Sequence, residues 1–203
     1  MPAPTPADLG PLAALVGTWE GTDGLDLAFN NESGKVKETP FRERVVMNPF
    51  GPVDNGSQCL FGLDYRMAAW RDDDADPFHT EVGYWLWDEA DGQVMRCFMV
   101  PRGSTLIAGG RAQADSTTFS MQAEVGSESY GILSNLYLAA SARTTLYQCT
   151  VEVGDGTWSY DETTTVELSR MPGTPFAHTD RNTMHRVADG ASGPVAAKER
   201  ASR

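Results

Sequence analysis

No stretch of this chain stays apolar and uncharged over the roughly 20 residues that a membrane-crossing helix needs. Basic charge is also scarce. Sixteen Lys and Arg stand against 28 Asp and Glu, a net charge of −12, and this argues against nucleic acid or an anionic membrane as partner, because both require clustered cations to neutralise phosphate. Cysteine is limited to Cys59, Cys97 and Cys149, far apart and without a Cys-x-x-Cys pair. Neither a disulfide framework nor a zinc centre is expected, and the three are read as buried free thiols. The opening Met1 to Gly10 lacks the basic region of a secretory leader, and Leu12 to Val16 is too short for its apolar segment, so the expectation is a cytoplasmic protein. Gly-x-Ser-x-Gly, the Walker loop, the dinucleotide fingerprint and His-Glu-x-x-His are all absent, which leaves nucleophilic catalysis without support. The densest acidic run, Arg71 to Pro77, lacks the mid-loop glycine and distal glutamate of a calcium loop and reads as a solvated hairpin loop.

What the chain does have is period-two alternation. Trp158, Tyr160, Glu162, Thr164, Val166 and Leu168 share one face of a strand, and Tyr147, Cys149, Val151 and Val153 share one face of its predecessor. Gly154-Asp155-Gly156 between them supplies the hairpin turn. Glu81 to Asp88 and Val94 to Val100 flank a second turn, and Phe119, Met121, Ala123 and Val125 mark another strand. Further strands are expected near 15–21, 41–48, 58–69, 104–109 and 180–187, roughly nine or ten in all. Residues 22–40 read as a long loop, either a flap at a barrel mouth or a plain surface loop. Short helices are expected within 6–15 and 134–142, neither as a core element. Evenly spaced antiparallel strands favour a closed barrel or a sandwich, and closure removes exposed edges. Tryptophan between glycines, as in Gly17-Thr18-Trp19-Glu20-Gly21, suits strands that approach closely around a filled interior and favours a ligand-holding barrel. The alternating methionines, Met47 and Met67 among them, would pack the core or line a cavity.

In order along the chain, Gly17-x-Trp19-x-Gly21, His79-x-Glu81-x-Gly83-Tyr84-Trp85, Val94 to Gly103 with Gly109-Gly110, Gly173-x-Pro175-Phe176 and Asn182-x-Met184-x-Arg186-Val187 resemble the nitrobindin family over about residues 10 to 187. These are the fatty-acid-binding-protein-like barrels that also form the haem-binding domain of THAP-type proteins. The resemblance implies an all-β fold, a roughly ten-stranded antiparallel up-and-down β-barrel with one or two short helices. It implies one domain over residues 10–187, with 1–9 and 188–203 as flexible termini, and it leaves room for a homodimer. In the haem-binding members one histidine near the C-terminus holds ferric haem b, and these members react with nitric oxide or isomerise peroxynitrite. This sequence departs at that point: Thr179 occupies the expected ligand position, His178 stands one residue early, and a one-residue displacement turns a strand side chain to the other face. The first motif departs too, with Asp23 then Gly24 where the family places a glycine at 23.

Two readings therefore stand. In the first, the lumen binds a small hydrophobic ligand, either haem or a fatty-acid-like lipophile. In the second, His178 coordinates haem iron, with Asp180 as its hydrogen-bond partner, in a peroxynitrite isomerase. The candidate cofactor-contacting residues are His178, Trp19, Gly17, Gly21 and His79. The candidates for a polar ligand head are Glu162, Arg96 and Tyr160, because a carboxylate that interrupts an apolar face must be paired, with Arg96, Arg102 or Arg42 as the available cations. His185 alternates with Arg181 and Thr183 and is expected to be exposed.

Overall fold

The computed structural model describes residues 3–71 and 74–187. Eleven strands form it: β1 (Gly17–Asn30), β2 (Lys35–Asp54), β3 (Cys59–Trp70), β4 (His79–Asp88), β5 (Gln93–Val100), β6 (Ser104–Arg111), β7 (Thr118–Val125), β8 (Gly131–Ser134), β9 (Ala142–Val153), β10 (Thr157–Leu168) and β11 (Phe176–Arg186). They close in the order β1-β11-β10-β9-β7-β8-β6-β5-β4-β3-β2. Apart from the parallel β7–β8 contact the pairings are antiparallel, and they join chain neighbours or close β1 on β11 except where β8 is inserted, so that β6 pairs β8 and β7 pairs β9; this is close to the up-and-down barrel the alternation calls for. The four-residue β8 is the strand the sequence does not announce; it is wedged between β6 and β7, which otherwise meet at Gly109 and Gln122.

Three expectations are corrected. Residues 22–40 are not a loop: β1 and β2 run on through them as a long hairpin around a turn at 31–34, in register from Leu25 opposite Pro40 to Asn30 opposite Lys35. Their polarity reflects a hairpin whose outer face meets water, as the exposed start of β2 shows. The helical segment within 6–15, expected to lie outside the core, is a core element. Helix α1 (Pro6–Leu9) carries a capping box, in which the Asp8 carboxylate accepts from the Thr5 N–H at 2.7 Å. A 3₁₀ turn over Gly10–Leu15 follows, and Leu9, Leu12 and Leu15 are buried with Trp19, Trp87 and Val94 as a plug. Of the three free thiols only Cys149 is buried; Cys59 lies exposed at the start of β3 and Cys97 is half-buried on β5. Helix α2 (Leu136–Ser141), capped by the Asn135 side chain, falls within the expected stretch and buries nothing. Residues 188–203, expected as a flexible terminus, and residues 72–73 of the acidic loop lie outside the described residues.

One local irregularity decides what faces the interior. Trp19 and Gly21 point inward, but the register of β1 slips between Gly21 and Gly24, so that Gly24 and Asp26 take the buried positions while Leu25 and Leu27 turn to the half-buried face.

Candidate functional site

Away from the plug the barrel is hollow, with a cavity of about 810 Å³. The inward face of β10 contributes Trp158, Tyr160, Glu162, Thr164, Val166 and Leu168, the face that period two assigns. Phe41, Met47, Met67, Phe98 and Val100 supply apolar wall from β2, β3 and β5. Polar groups converge on this wall in three places.

At the first, Arg96 is buried and held between two carboxylates. Its Nη2 donates to Glu81 Oε2 at 2.6 Å and its Nη1 to Glu162 Oε2 at 2.6 Å. Nη1 also donates to the Tyr147 hydroxyl at 2.5 Å, which in turn donates a hydrogen bond to Glu162 Oε2 at 2.7 Å, and the Tyr65 hydroxyl donates to Glu81 at 2.8 Å. The guanidinium lies over the Phe98 ring at 4.6 Å. The two acids differ. Burial works to raise both, yet the charge of Arg96, with His79 and Tyr65 donating as well, holds Glu81 down at about 2. Glu162 is raised: burial outweighs Arg96, and the charges of Glu81 and Asp180 add to it. One guanidinium is shared between two buried carboxylates, and its hold is stronger on the deeper and better-bonded Glu81.

The second is Glu43 on β2, whose Oε2 accepts from the Tyr160 hydroxyl at 2.7 Å and the Asn182 amide at 3.1 Å. Burial pushes this carboxyl up to about 7 although both bonds favour the anion.

The third is an Asp–His–Asp group. His178 Nε2 lies 2.7 Å from Asp26 Oδ1 and 3.3 Å from Asp180 Oδ2. Burial acts to lower the imidazole, but the bonds and charges of the two aspartates prevail and hold it protonated, near 10. His178 thus faces the lumen: β11 begins at Phe176, so His178, Asp180, Asn182 and Met184 share its inner face.

Of the other candidates, His79 lines the cavity with its Nε2 3.2 Å from Glu81 Oε1. Arg96, Glu162 and Tyr160 line it together, and Arg96 is the cation that pairs with Glu162. Trp19, Gly17 and Gly21 lie outside its lining. Trp19 is buried at the plug, its Nε1 donating to the Leu15 carbonyl at 2.8 Å and its ring edge-on to Trp158 at 6.3 Å. Gly17 has φ +125° beneath Arg186, and a Cβ on Gly21 would come within 2.6 Å of the Asn182 amide, so both glycines serve backbone geometry and close approach. His185 is exposed. Sequence reasoning assigned no role to Glu43, Glu81, Tyr65 or Asp26. Glu43 and Glu81 alternate onto the inner faces of their strands and that signal was available, whereas Asp26 is turned inward by the bulge alone.

The model of the THAP4-like, heme-binding beta-barrel domain matches residues 8–186. A curated relative named peroxynitrite isomerase, from Clavibacter michiganensis subsp. michiganensis (strain NCPPB 382), is 36% identical over 87 residues, 42% of this chain and 38% of that protein. Another of the same name, from Leifsonia xyli subsp. xyli (strain CTCB07), is 36% identical over 86 residues with the same coverage. The matched region thus spans only 38% of the length of these relatives. Among solved structures, that titled "Crystal Structure of Rv2717c from M. tuberculosis" superposes with a TM-score of 0.64 at 19% identity, over 90% of this chain and 98% of the other, a likeness of fold. With the family model covering nearly the whole described barrel, this chain belongs to the THAP4-like heme-binding beta-barrel domain family.

Proposed function

We propose that the barrel binds one small, largely apolar molecule in its lumen and fixes a polar end of it at the Arg96 cluster. The carrying observation is the cavity of about 810 Å³, inside the roughly 300–1,000 Å³ range of small-molecule sites and walled by apolar side chains with a few convergent polar groups. Close-packed interiors leave few voids larger than a water molecule, so a hollow of this size calls for an occupant. Arg96, Glu162 and Tyr160 sit on paired strands, which hold a polar anchor more rigidly than loops do. The net charge of −12 supports a small molecule over nucleic acid as partner. The three free cysteines fit a reducing, cytoplasmic setting, and no helix among the described residues is long and apolar enough to cross a membrane. A homodimer is read out by sedimentation of the same preparations.

Haem is the first ligand to set against these residues. The two carboxylate oxygens at 2.7 and 3.3 Å from His178 Nε2 occupy the space where iron and its ring of pyrrole nitrogens would sit. His79 Nε2 is likewise against Glu81. Neither histidine, as held, fits a proximal ligand, and no haem-borne step is derived for this chain. The second reading, a ferric-haem peroxynitrite isomerase on His178, is favoured by the names of the curated relatives and by the inward direction of that side chain.

Thermal denaturation against haemin, fatty acids and neutral lipophiles tests both readings. The lumen reading expects stabilisation that grows with ligand concentration over its dissociation constant and that Arg96→Met weakens. A Soret band that forms with haemin and is lost in His178→Ala would establish the second reading. No stabilisation by any lipophile would defeat the first.

A further inference from the structure

We infer that Asp26, His178 and Asp180 form a lumen-facing site for a single divalent first-row transition-metal cation, independent of which organic molecule fills the cavity. The three ligand atoms all lie within 4.8 Å of one another. The 3.3 Å from Nε2 to the Asp180 oxygen falls within the roughly 3 to 3.5 Å between neighbouring ligands when each bond to the metal is about 2.0–2.2 Å, and the 2.7 Å hydrogen bond to Asp26 reaches it by lengthening a few tenths of an ångström. The spacing that excludes a porphyrin's iron suits a bare cation, for which both carboxylates become ligands.

Two further observations point to a cation. The bulge in β1 brings Asp26 inward and sends Leu25 and Leu27 to the half-buried face. A barrel that buries apolar surface has no packing reason to exchange two leucines for an aspartate, and bulges that re-aim a side chain cluster at functional sites. The register then sets Asp26 directly opposite Asp180, and Asp180 directly opposite Glu162, three carboxylates in one row across β1, β11 and β10. Like charges directly opposite one another destabilise a sheet. Arg96 is already shared between Glu81 and Glu162, and the cationic side chain that faces the Asp26–Asp180 pair is His178.

One imidazole with two carboxylates selects zinc, iron(II), cobalt(II) or manganese(II) over copper(I), which prefers sulfur, and over calcium, which takes six to eight oxygens. Asp26 is 4% exposed while His178 and Asp180 are only half-buried. The three ligands come from paired strands of one wall, so the remaining coordination positions open to the cavity, where water or a ligand atom can enter.

The test is titration of the tag-free, chelator-treated chain with zinc by calorimetry and with cobalt(II) by visible absorption. One cation per chain is expected. Affinity should fall at least about tenfold in both His178→Ala and Asp180→Asn and should be unchanged in His185→Ala, which removes an exposed histidine. Asp180→Asn preserves shape at a partly exposed position, and circular dichroism verifies its fold. No saturable uptake, or uptake that neither substitution weakens, overturns the inference. Repeating the lipophile experiment with chelator present separates this outcome from the fate of the lumen reading.

Discussion

Replacing Arg96 by methionine keeps a stem of similar length over Phe98 and Trp85 but withdraws the charge from between Glu81 and Glu162. Those carboxylates are 3% and 12% exposed, so neither recovers its hydration. Breaking a buried ion pair from one side typically costs about 3–5 kcal/mol. The direction at Glu81 agrees: the charge of Arg96 holds its carboxyl well below the ordinary 4.5, which is a stabilising contribution of the same sign. Because the folded-state value is depressed, this contribution is fully present above about 4.5 and is lost as pH falls toward 2. Arg96→Met should therefore lower unfolding free energy by about 3–5 kcal/mol at pH 7 and by progressively less below pH 4.5. The assay is urea denaturation followed by tryptophan fluorescence. The triple variant Arg96→Met with Glu81→Gln and Glu162→Gln should regain more than half of the loss, because the penalty lies in the stranded charges and not in the missing guanidinium. A loss that persists undiminished in the triple variant, or one below about 1 kcal/mol at pH 7, would refute this reasoning.

Glu43 behaves with the opposite sign. Its carboxyl is pushed up to about 7, so the folded chain keeps a proton that the unfolded chain gives up above about 4.5, and stability falls as pH rises through that interval. Glu43→Gln should match the parent below pH 4.5 and exceed it by up to about 3 kcal/mol at pH 8; equal stability of the two proteins at pH 8 would contradict the assignment. Leu12 is fully buried in the plug, and Leu12→Ala should cost about 2–5 kcal/mol in chemical denaturation, against the near-neutral effect expected of a helix outside the core. Trp19→Phe removes the bond to the Leu15 carbonyl and should lower stability by about 1–2 kcal/mol. The same variant should leave lipophile affinity, measured well below its melting temperature, within twofold, since Trp19 lies outside the cavity lining.

Much of the barrel is legible in the sequence because a half-buried strand must alternate. The inner face of β10, from Trp158 to Leu168, reads directly off period two, and so do the buried positions of β7 and β9. Where alternation is broken, the reading fails for an identifiable reason. Counting by twos from Trp19 points Leu25 and Leu27 inward and Asp26 outward; the slip between Gly21 and Gly24 inverts that assignment, and nothing in Thr22-Asp23 announces a bulge. The polar residues 22–40 resemble a loop because their hairpin has an outer face in water, and strand pairing rather than composition holds it. The plug fails differently. Leu9, Leu12 and Leu15 carry helical spacing that is visible, but their burial depends on the barrel end they stopper, which is a tertiary fact. At the site, Glu162 is conspicuous as a carboxylate on an apolar face and Arg96 was among its predicted partners. Glu43 and Glu81 also interrupt inner faces, between Phe41 and Val45 and ahead of Trp85 and Trp87, a contrast the sequence carries but that gains its meaning from their meeting around one cavity. His178 shows how a register argument turns on where a strand begins: β11 starts at Phe176, which puts residue 178 rather than 179 inside.

Filling the hollow tests the account most directly. Thr164 faces the lumen between Glu162 and Val166 on β10, opposite His178 on β11, and Thr164→Trp places an indole in the cavity while leaving every charged side chain in place. Titration of an uncharged lipophilic fluorophore into the parent protein should show one saturable site per chain, and the filled variant should lose it at least tenfold while remaining folded by circular dichroism. Equal binding by the two proteins would place the site outside the barrel and contradict the account.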